Sequence, residues 1–426
     1  MRAMKIIKSI FFLLLIIVMV FYIYPAYAAN PLYPQTNGKA VILMDATSGR
    51  VLYERNSHQQ LPPASLTKIM TALLVVENGD LNQNVVISEF AAATPESTVY
   101  LEPGETLTRM ELLYAAMLPS ANDACNALAE SIAGNEANFV KLMNKRVREL
   151  GLKNTQFKNA HGLHAEGHYS SAYDLALLSK KGLSNPLFAQ VTQTQRKVIP
   201  WEGKDEDRLL LNQNRLLYRY EGAIGVKTGY TRQAGNCVVG AARRGDMVLI
   251  AVSMNSPTVY EDLENMLNYG FNNYKMITLG KAGDISGEVK VLKGNSGKVR
   301  AKLSNDLSIA ATEDEIPHLA YSFTLKPSIE APVKKGEVLG KCRLYLQGKQ
   351  IGNVDMIAAE EIPYKPSLAE ILNPMPILFS RWGILIAIIA AFGVYRNRKI
   401  LKKLLKRIIL YLLHNKIPNQ YKNHRY

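Results

Sequence analysis

Residues 61–79 read LPPASLTKIMTALLVVENG. Ile69, Ala72, Leu73 and Val76 recur at helical spacing, and Met70, Leu74 and Val75 fill the other faces. A helix that is apolar nearly all round belongs inside a core. Asn78-Gly79 ends it. Yet this segment opens with Ser65 and, three residues on, Lys68. Residues i and i+3 share a helix face, so the amine can reach the hydroxyl. The pair reads either as a helix cap with a surface charge or as a nucleophile with its base. Serine is a weak nucleophile until a base takes its proton. Lysine can be that base only when neutral, a form that burial and a second nearby cation both favour.

Outward from this helix, residues 41–55 (VILMDATSGRVLYER) form two apolar runs about a Thr-Ser-Gly turn, a β-hairpin. Residues 105–151 read as mainly helical, with GETLTRMELLYAAML and ANDACNALAESIAG as two segments, and a polar loop then leads into a helix beyond residue 170. From Gly222 the pattern changes to three short strands, AIGVKTGYT, AGNCVVGAARR and DMVLIAVSM, the last two joined by a tight Arg244-Gly245 turn. EDLENMLNYGFNNY closes this part as a helix. The expected fold class is α/β (α+β), with the catalytic domain over 30–275. Residues 276–363 carry short Val-, Gly- and Lys-rich runs at strand-like spacing and read as a small all-β domain, with 364–375 as a linker.

Two further motifs follow Ser65-x-x-Lys68 in order. Ser120-Ala121-Asn122 comes after Leu118-Pro119, and Lys227-Thr228-Gly229 lies on a predicted strand. Singly each is weak; the ordered set points to acyl transfer on serine. Lys227 supplies the second cation. Ser65, at a helix start, has a backbone N–H free to face an oxyanion, and Tyr230 can supply another. Ser120 can hand a proton to a leaving amine, and Asn122 can hold a substrate amide. Lys227 and Thr228 suit a terminal carboxylate. The substrate class implied is a peptide with a free C-terminus, and no metal or organic cofactor is called for. Cys125, Cys237 and Cys342 are too few and too scattered for a disulfide framework or a metal site.

With these motifs, and with LEPGETLT, LLYAAMLPSANDA, NAHGL, YSSAYDLALL, NRLL and APVKKGEVLGK, the chain resembles the D-alanyl-D-alanine carboxypeptidases, the low-molecular-mass penicillin-binding proteins, over roughly 30–365. The resemblance implies a β-lactamase/transpeptidase-like domain with an antiparallel sheet between helices. It implies removal of the terminal D-alanine from peptidoglycan stem pentapeptides, and covalent inhibition by β-lactams. It carries Ser65 as acyl-ester nucleophile, Lys68 as proton acceptor, Ser120 as a further active-site residue and Lys227 as substrate binder. Two departures stand out: Tyr230 replaces a histidine found in some relatives, and an arginine that some carry near Val259 or Tyr260 is absent. A β-lactamase is a rival, but the E-x-x-L-N glutamate of class A enzymes has no match here. The same residues also suit D,D-endopeptidase cleavage of cross-links, and a non-catalytic wall-binding protein is a rival from a different class. His161 and Asp174 read as loop-fixing, and His164 and His168 as solvated.

The net charge of +15 sits at the ends of the chain. Residues 1–28 hold three basic residues and no acids, and 381–426 hold eleven and none, leaving 37 basic against 36 acidic residues between. That distribution points to membrane topology and away from nucleic acid. Residues 1–28 read as a secretory signal peptide with an Ala26-Tyr27-Ala28 cleavage site. Residues 376–395 read as a transmembrane helix, and the basic 396–426 as a cytoplasmic tail able to meet anionic lipids. The runner-up places the whole C-terminus on the outer membrane surface. Either way the catalytic domain is expected outside the cytoplasm.

Overall fold

The structure, a computed structural model, describes residues 33–367 and 381–414. The sequence-predicted signal peptide, 1–28, lies outside the described residues. The hairpin forms as β1 (Ala40–Asp45) and β2 (Val51–Arg55). A 3-10 turn, Ala64–Thr67, then runs into α1 (Lys68–Asn78). After two short strands, β3 (Asn84–Val86) and β4 (Thr106–Thr108), come α2 (Arg109–Met117), α3 (Asn122–Ala133) and α4 (Glu136–Glu149). The Thr108–Glu111 capping box starts α2. Next are α5 (Ala172–Leu183), α6 (Pro186–Gln193), and the hairpin β5 (Arg196–Ile199) and β6 (Arg208–Leu211). Then come β7 (Ala223–Thr231), β8 (Gly235–Arg244), β9 (Met247–Met254) and α7 (Val259–Asn273).

One sheet organises this part, in the order β2-β1-β9-β8-β7, with every pair antiparallel. Side chains alternate across a strand, and both faces here are covered. Val41, Leu43, Leu249 and Ala251 pack with Leu263, Met266 and Leu267 of α7. Ala40, Ile42, Met44, Ile250 and Val252 face the other way, into a core with Ile69, Met70 and Leu73 of α1. That double coverage is why β9 is buried along its whole length. It also explains α1, buried on all sides from Lys68 to Val75. Asn78 ends α1 by donating from its side-chain amide to the Leu74 carbonyl at 2.9 Å, and Gly79 follows in an extended conformation.

By their contacts the described residues divide into two units, one of residues 33–286, 302–324 and 340–356, the other of 287–301, 325–339, 357–367 and 381–414. In the first, β10 (Lys275–Gly280) pairs with the strand Leu307–Ala311. In the second, residues 290–292 pair in parallel with 328–330. Strands predominate from Lys275 to Ala358, as the spacing predicts.

The C-terminal reading needs correction. The described helices are α8 (Arg381–Arg396) and α9 (Arg398–His414). Among the described residues no helix is long and apolar enough to cross a membrane. The described part of helix α8 has 16 residues, about 24 Å at 1.5 Å each, against the ~20 residues a bilayer core needs. Residues 376–380 of the predicted span lie outside the described residues. Both helices nonetheless leave large apolar side chains exposed, from Ile384 to Tyr411.

Candidate active site

The turn before α1 sets the first contact. In a 3-10 turn residues i and i+3 eclipse, and Lys68 Nζ lies 2.9 Å from Ser65 Oγ. Lys68 is fully buried. Its amine also donates to Asn122 Oδ1 at 2.7 Å and to the His161 carbonyl at 2.8 Å. Asn122 in turn donates from Nδ2 to the Pro95 carbonyl at 2.9 Å, which fixes the orientation of its amide. The Asn122 and His161 oxygens can only accept. A neutral amine has two N–H groups and one lone pair, so with both N–H groups committed the lone pair faces Ser65.

Burial favours that neutral form. It lowers Lys68 to about 8, against weaker opposing pulls from Cys125, Asp123 and Glu96. It lowers Lys227 to about 7, helped by the charge of Lys68. Coulomb repulsion is mutual, so the two amines disfavour sharing the charged state. Burial pushes the Cys125 thiol up to about 11, which keeps it protonated beside the two lysines.

Four residues of the site region hold left-handed backbone: Ala64 (φ 49°), Glu96 (φ 70°), Tyr100 (φ 57°) and Ser120 (φ 69°). Such conformations cost about 1 kcal/mol or more each and need surroundings that enforce them. Asp123 supplies part of that enforcement, accepting from the Val99, Leu101 and Ala124 N–H groups at 2.8–3.2 Å. Arg208 supplies more, with a buried pair to Glu105 and a 2.9 Å bond to the Tyr100 carbonyl.

Glycines let backbones meet at the nucleophile. A Cβ on Gly162 (φ 99°) would stand 1.9 Å from the Ala64 carbonyl oxygen. One on Gly229 would stand 2.9 Å from the Ser65 nitrogen. The third motif thus lies against the first, and β7 is an edge strand of the sheet there.

The cleft, about 220 Å³, is lined by Ser65, Ser120, Thr228, Gly229, Tyr230 and neighbours. Lys68, Asn122 and Lys227 do not line it; they lie behind the wall, each at most 2% exposed. The amide of Asn122 is already engaged on both atoms, and Lys227 donates to the Thr228 carbonyl at 3.1 Å. Asp174 fixes a loop, accepting from Asn154 N–H and Thr155 Oγ1, each at 2.7 Å. His168 is buried, where the sequence reading has it solvated. Its Nδ1 accepts from Lys158 N–H, so Nε2 donates to Thr67 Oγ1 at 2.8 Å, and Thr67 donates to the Ala64 carbonyl. Burial lowers His168 to about 4 and His161 to about 3, so both are neutral props under the Ser65 turn. The one sequence signal for this support was the NAHGL stretch, whose His161 carbonyl and Gly162 both touch the site. Among the described residues no group of His, Cys, Asp and Glu could hold a metal ion.

The chain has known relatives in both sequence and fold. The family described as D-alanyl-D-alanine carboxypeptidase matches residues 27–258, and the C-terminal domain of penicillin-binding protein 5 matches 274–364. The chain is 39% identical over 333 residues to D-alanyl-D-alanine carboxypeptidase DacF of Bacillus subtilis, covering 76% of this chain and 85% of that protein. It is 32% identical to DacC of Escherichia coli, covering 82% and 90%. Among solved structures, penicillin-binding protein 5 from Haemophilus influenzae superposes with a TM-score of 0.62 at 30% identity, covering 78% of this chain and 98% of that one.

Proposed function

Because this chain belongs to the D-alanyl-D-alanine carboxypeptidase family, we propose that its Ser65 carries an acyl-enzyme formed from a peptidoglycan stem peptide ending in D-Ala-D-Ala. The chain is a serine-type D-Ala-D-Ala carboxypeptidase. Neutral Lys68 takes the Ser65 proton across 2.9 Å, and Oγ attacks the penultimate D-Ala carbonyl carbon. The N–H groups of Ser65 and Tyr230 face the oxyanion. Ser120 passes a proton to the departing amine of the terminal D-Ala. Water then hydrolyses the Ser65 ester, and the shortened peptide leaves. Burial is what favours the neutral form of Lys68, and Lys227 lies behind the wall beside it, the more readily deprotonated of the two amines.

The observation that carries this reading is the three-way grip on Lys68 Nζ, which aims its lone pair at Ser65. The same geometry suits β-lactams, whose strained amide would leave a stable ester on Ser65. The test is mass spectrometry of a synthetic stem pentapeptide: loss of one alanine with the wild type, and none with Ser65→Ala. An intact peptide with both proteins rejects the assignment.

By the same reading the catalytic part works outside the cytoplasm, exported by residues 1–28. The C-terminal helices attach it to the membrane: α8 buries its apolar sides in lipid, and α9 lies at the anionic surface. Exposed Ile386, Ile389 and Phe392, followed by a run of lysines and arginines, support this.

A further inference from the structure

Among the described residues, no charged side chain lines the catalytic cleft. The substrate nevertheless has a carboxylate two bonds from the nitrogen that leaves. Lys227, the cation that the sequence offers for it, is 1% exposed and donates to a backbone carbonyl. A carboxylate left without a cationic partner in a cleft would bind weakly.

A second cavity, of about 690 Å³, opens beside the first and shares Gln213, Thr228, Asn236, Val259 and Tyr260 with it. Its wall adds two cations, Arg215 and Arg219, and one carboxylate, Glu261. Arg219 is already engaged, 3.2 Å from Glu264 and stacked over the Tyr260 ring. Arg215 is exposed, and among the described residues its guanidinium makes no ion pair. Its backbone is anchored: the Arg215 N–H donates to Tyr260 Oη at 3.1 Å, and Tyr260 Oη donates to the Gln213 carbonyl at 3.4 Å. The loop carrying Arg215 is thus tied to a residue that lines both cavities.

We infer that Arg215, across Thr228 from the nucleophile, is a specificity residue that meets the free C-terminal carboxylate of the substrate. The inference rests on the carboxypeptidase reading and deepens it. Thr228 supplies a hydroxyl at the boundary between the cavities, and Arg215 supplies the charge and a planar pair of donors. Glu261 would repel the same carboxylate once Arg215 is gone.

The test compares two stem pentapeptides with the full chain in detergent, one with a free C-terminus and one with a C-terminal amide. Arg215→Ala is expected to raise KM for the free acid about tenfold, as for an exposed charge-assisted contact. The change in kcat should be small, and amide turnover should stay within about twofold. Arg215→Lys should restore part of the loss, and high salt should shrink it. Equal loss on acid and amide would mean a structural role and overturn the inference; so would no loss on either. Should the wild type cleave neither peptide, the carboxypeptidase reading itself fails. Arg215 is then judged by acylation of Ser65 with benzylpenicillin against its methyl ester. A wild-type preference for the free acid that Arg215→Ala abolishes supports the inference, and an unchanged preference sinks it.

Discussion

Lys68 and Lys227 on one side, and Lys402, Lys403 and Lys406 on the other, are the same side chain in opposite surroundings. The first two are enclosed by the core, with amines that reach only protein oxygens. The other three stand exposed on α9, interleaved with exposed Leu401, Leu404, Leu405 and Ile408. In the core, the charge lacks water, and each amine holds its proton less tightly. On α9, the apolar residues lack a non-aqueous neighbour, and the charges are at home. Each mismatch carries part of the proposed reading: proton transfer in one place and membrane attachment in the other.

The largest effect is expected at Lys68. Lys68→Met keeps the volume and removes the base, and should lower kcat/KM for D-Ala release by on the order of a thousandfold. A steady-state assay with near-wild-type turnover would remove Lys68 from the mechanism. At the other pole, changing Lys402, Lys403 and Lys406 together to Gln should weaken binding to anionic vesicles on the order of a hundredfold, at about 1 kcal/mol per charge. Hydrolysis of a soluble pentapeptide should be unchanged; equal sedimentation of both proteins with vesicles would count against attachment through α9.

Smaller effects sharpen the core side. Gly162→Ala forces a methyl into the Ala64 carbonyl, and should cost about 1–3 kcal/mol in thermal unfolding together with a drop in kcat. Gly104→Ala makes a fair control, because it shares the positive φ but meets nothing within 4 Å. A similar loss from both would leave crowding at Ser65 without a role. Finally, activity should rise with pH as the lysine pair sheds a proton between about pH 7 and 8. Burial lowers Lys68, with no contribution from Lys227, whereas Lys227 is lowered by burial and by the charge of Lys68. Lys227→Gln should therefore leave the acid limb of the kcat profile in place. A limb that moves up would show that Lys227 repels the proton on Lys68.

What the sequence made legible was local. The hairpin, the buried α1, the turn at Arg244-Gly245 and the Ser65–Lys68 pairing all follow from period and spacing within a few residues. The partners of Lys68 come from 54 and 93 residues away, and no local pattern announces them. The same limit hid the burial of His168 and the Arg208–Glu105 pair, which join loops far apart in sequence. Lys227 looked like a cleft residue because K-T-G sits on a strand. Which side of that strand meets the cleft was decided by the sheet order, with β7 at the edge against the Ser65 turn.

The grip on Lys68 is assembled from residues 65, 122 and 161, so it exists only once some hundred residues of chain have closed around it. Before that, Lys68 is an ordinary lysine with a pKa of 10.5, neutral in only about one molecule in several thousand at pH 7. The newly made chain is therefore chemically silent, and its reactivity switches on with folding and off with unfolding. A covalent β-lactam tag would consequently count folded molecules in a mixed population, making this serine a built-in census of its own fold.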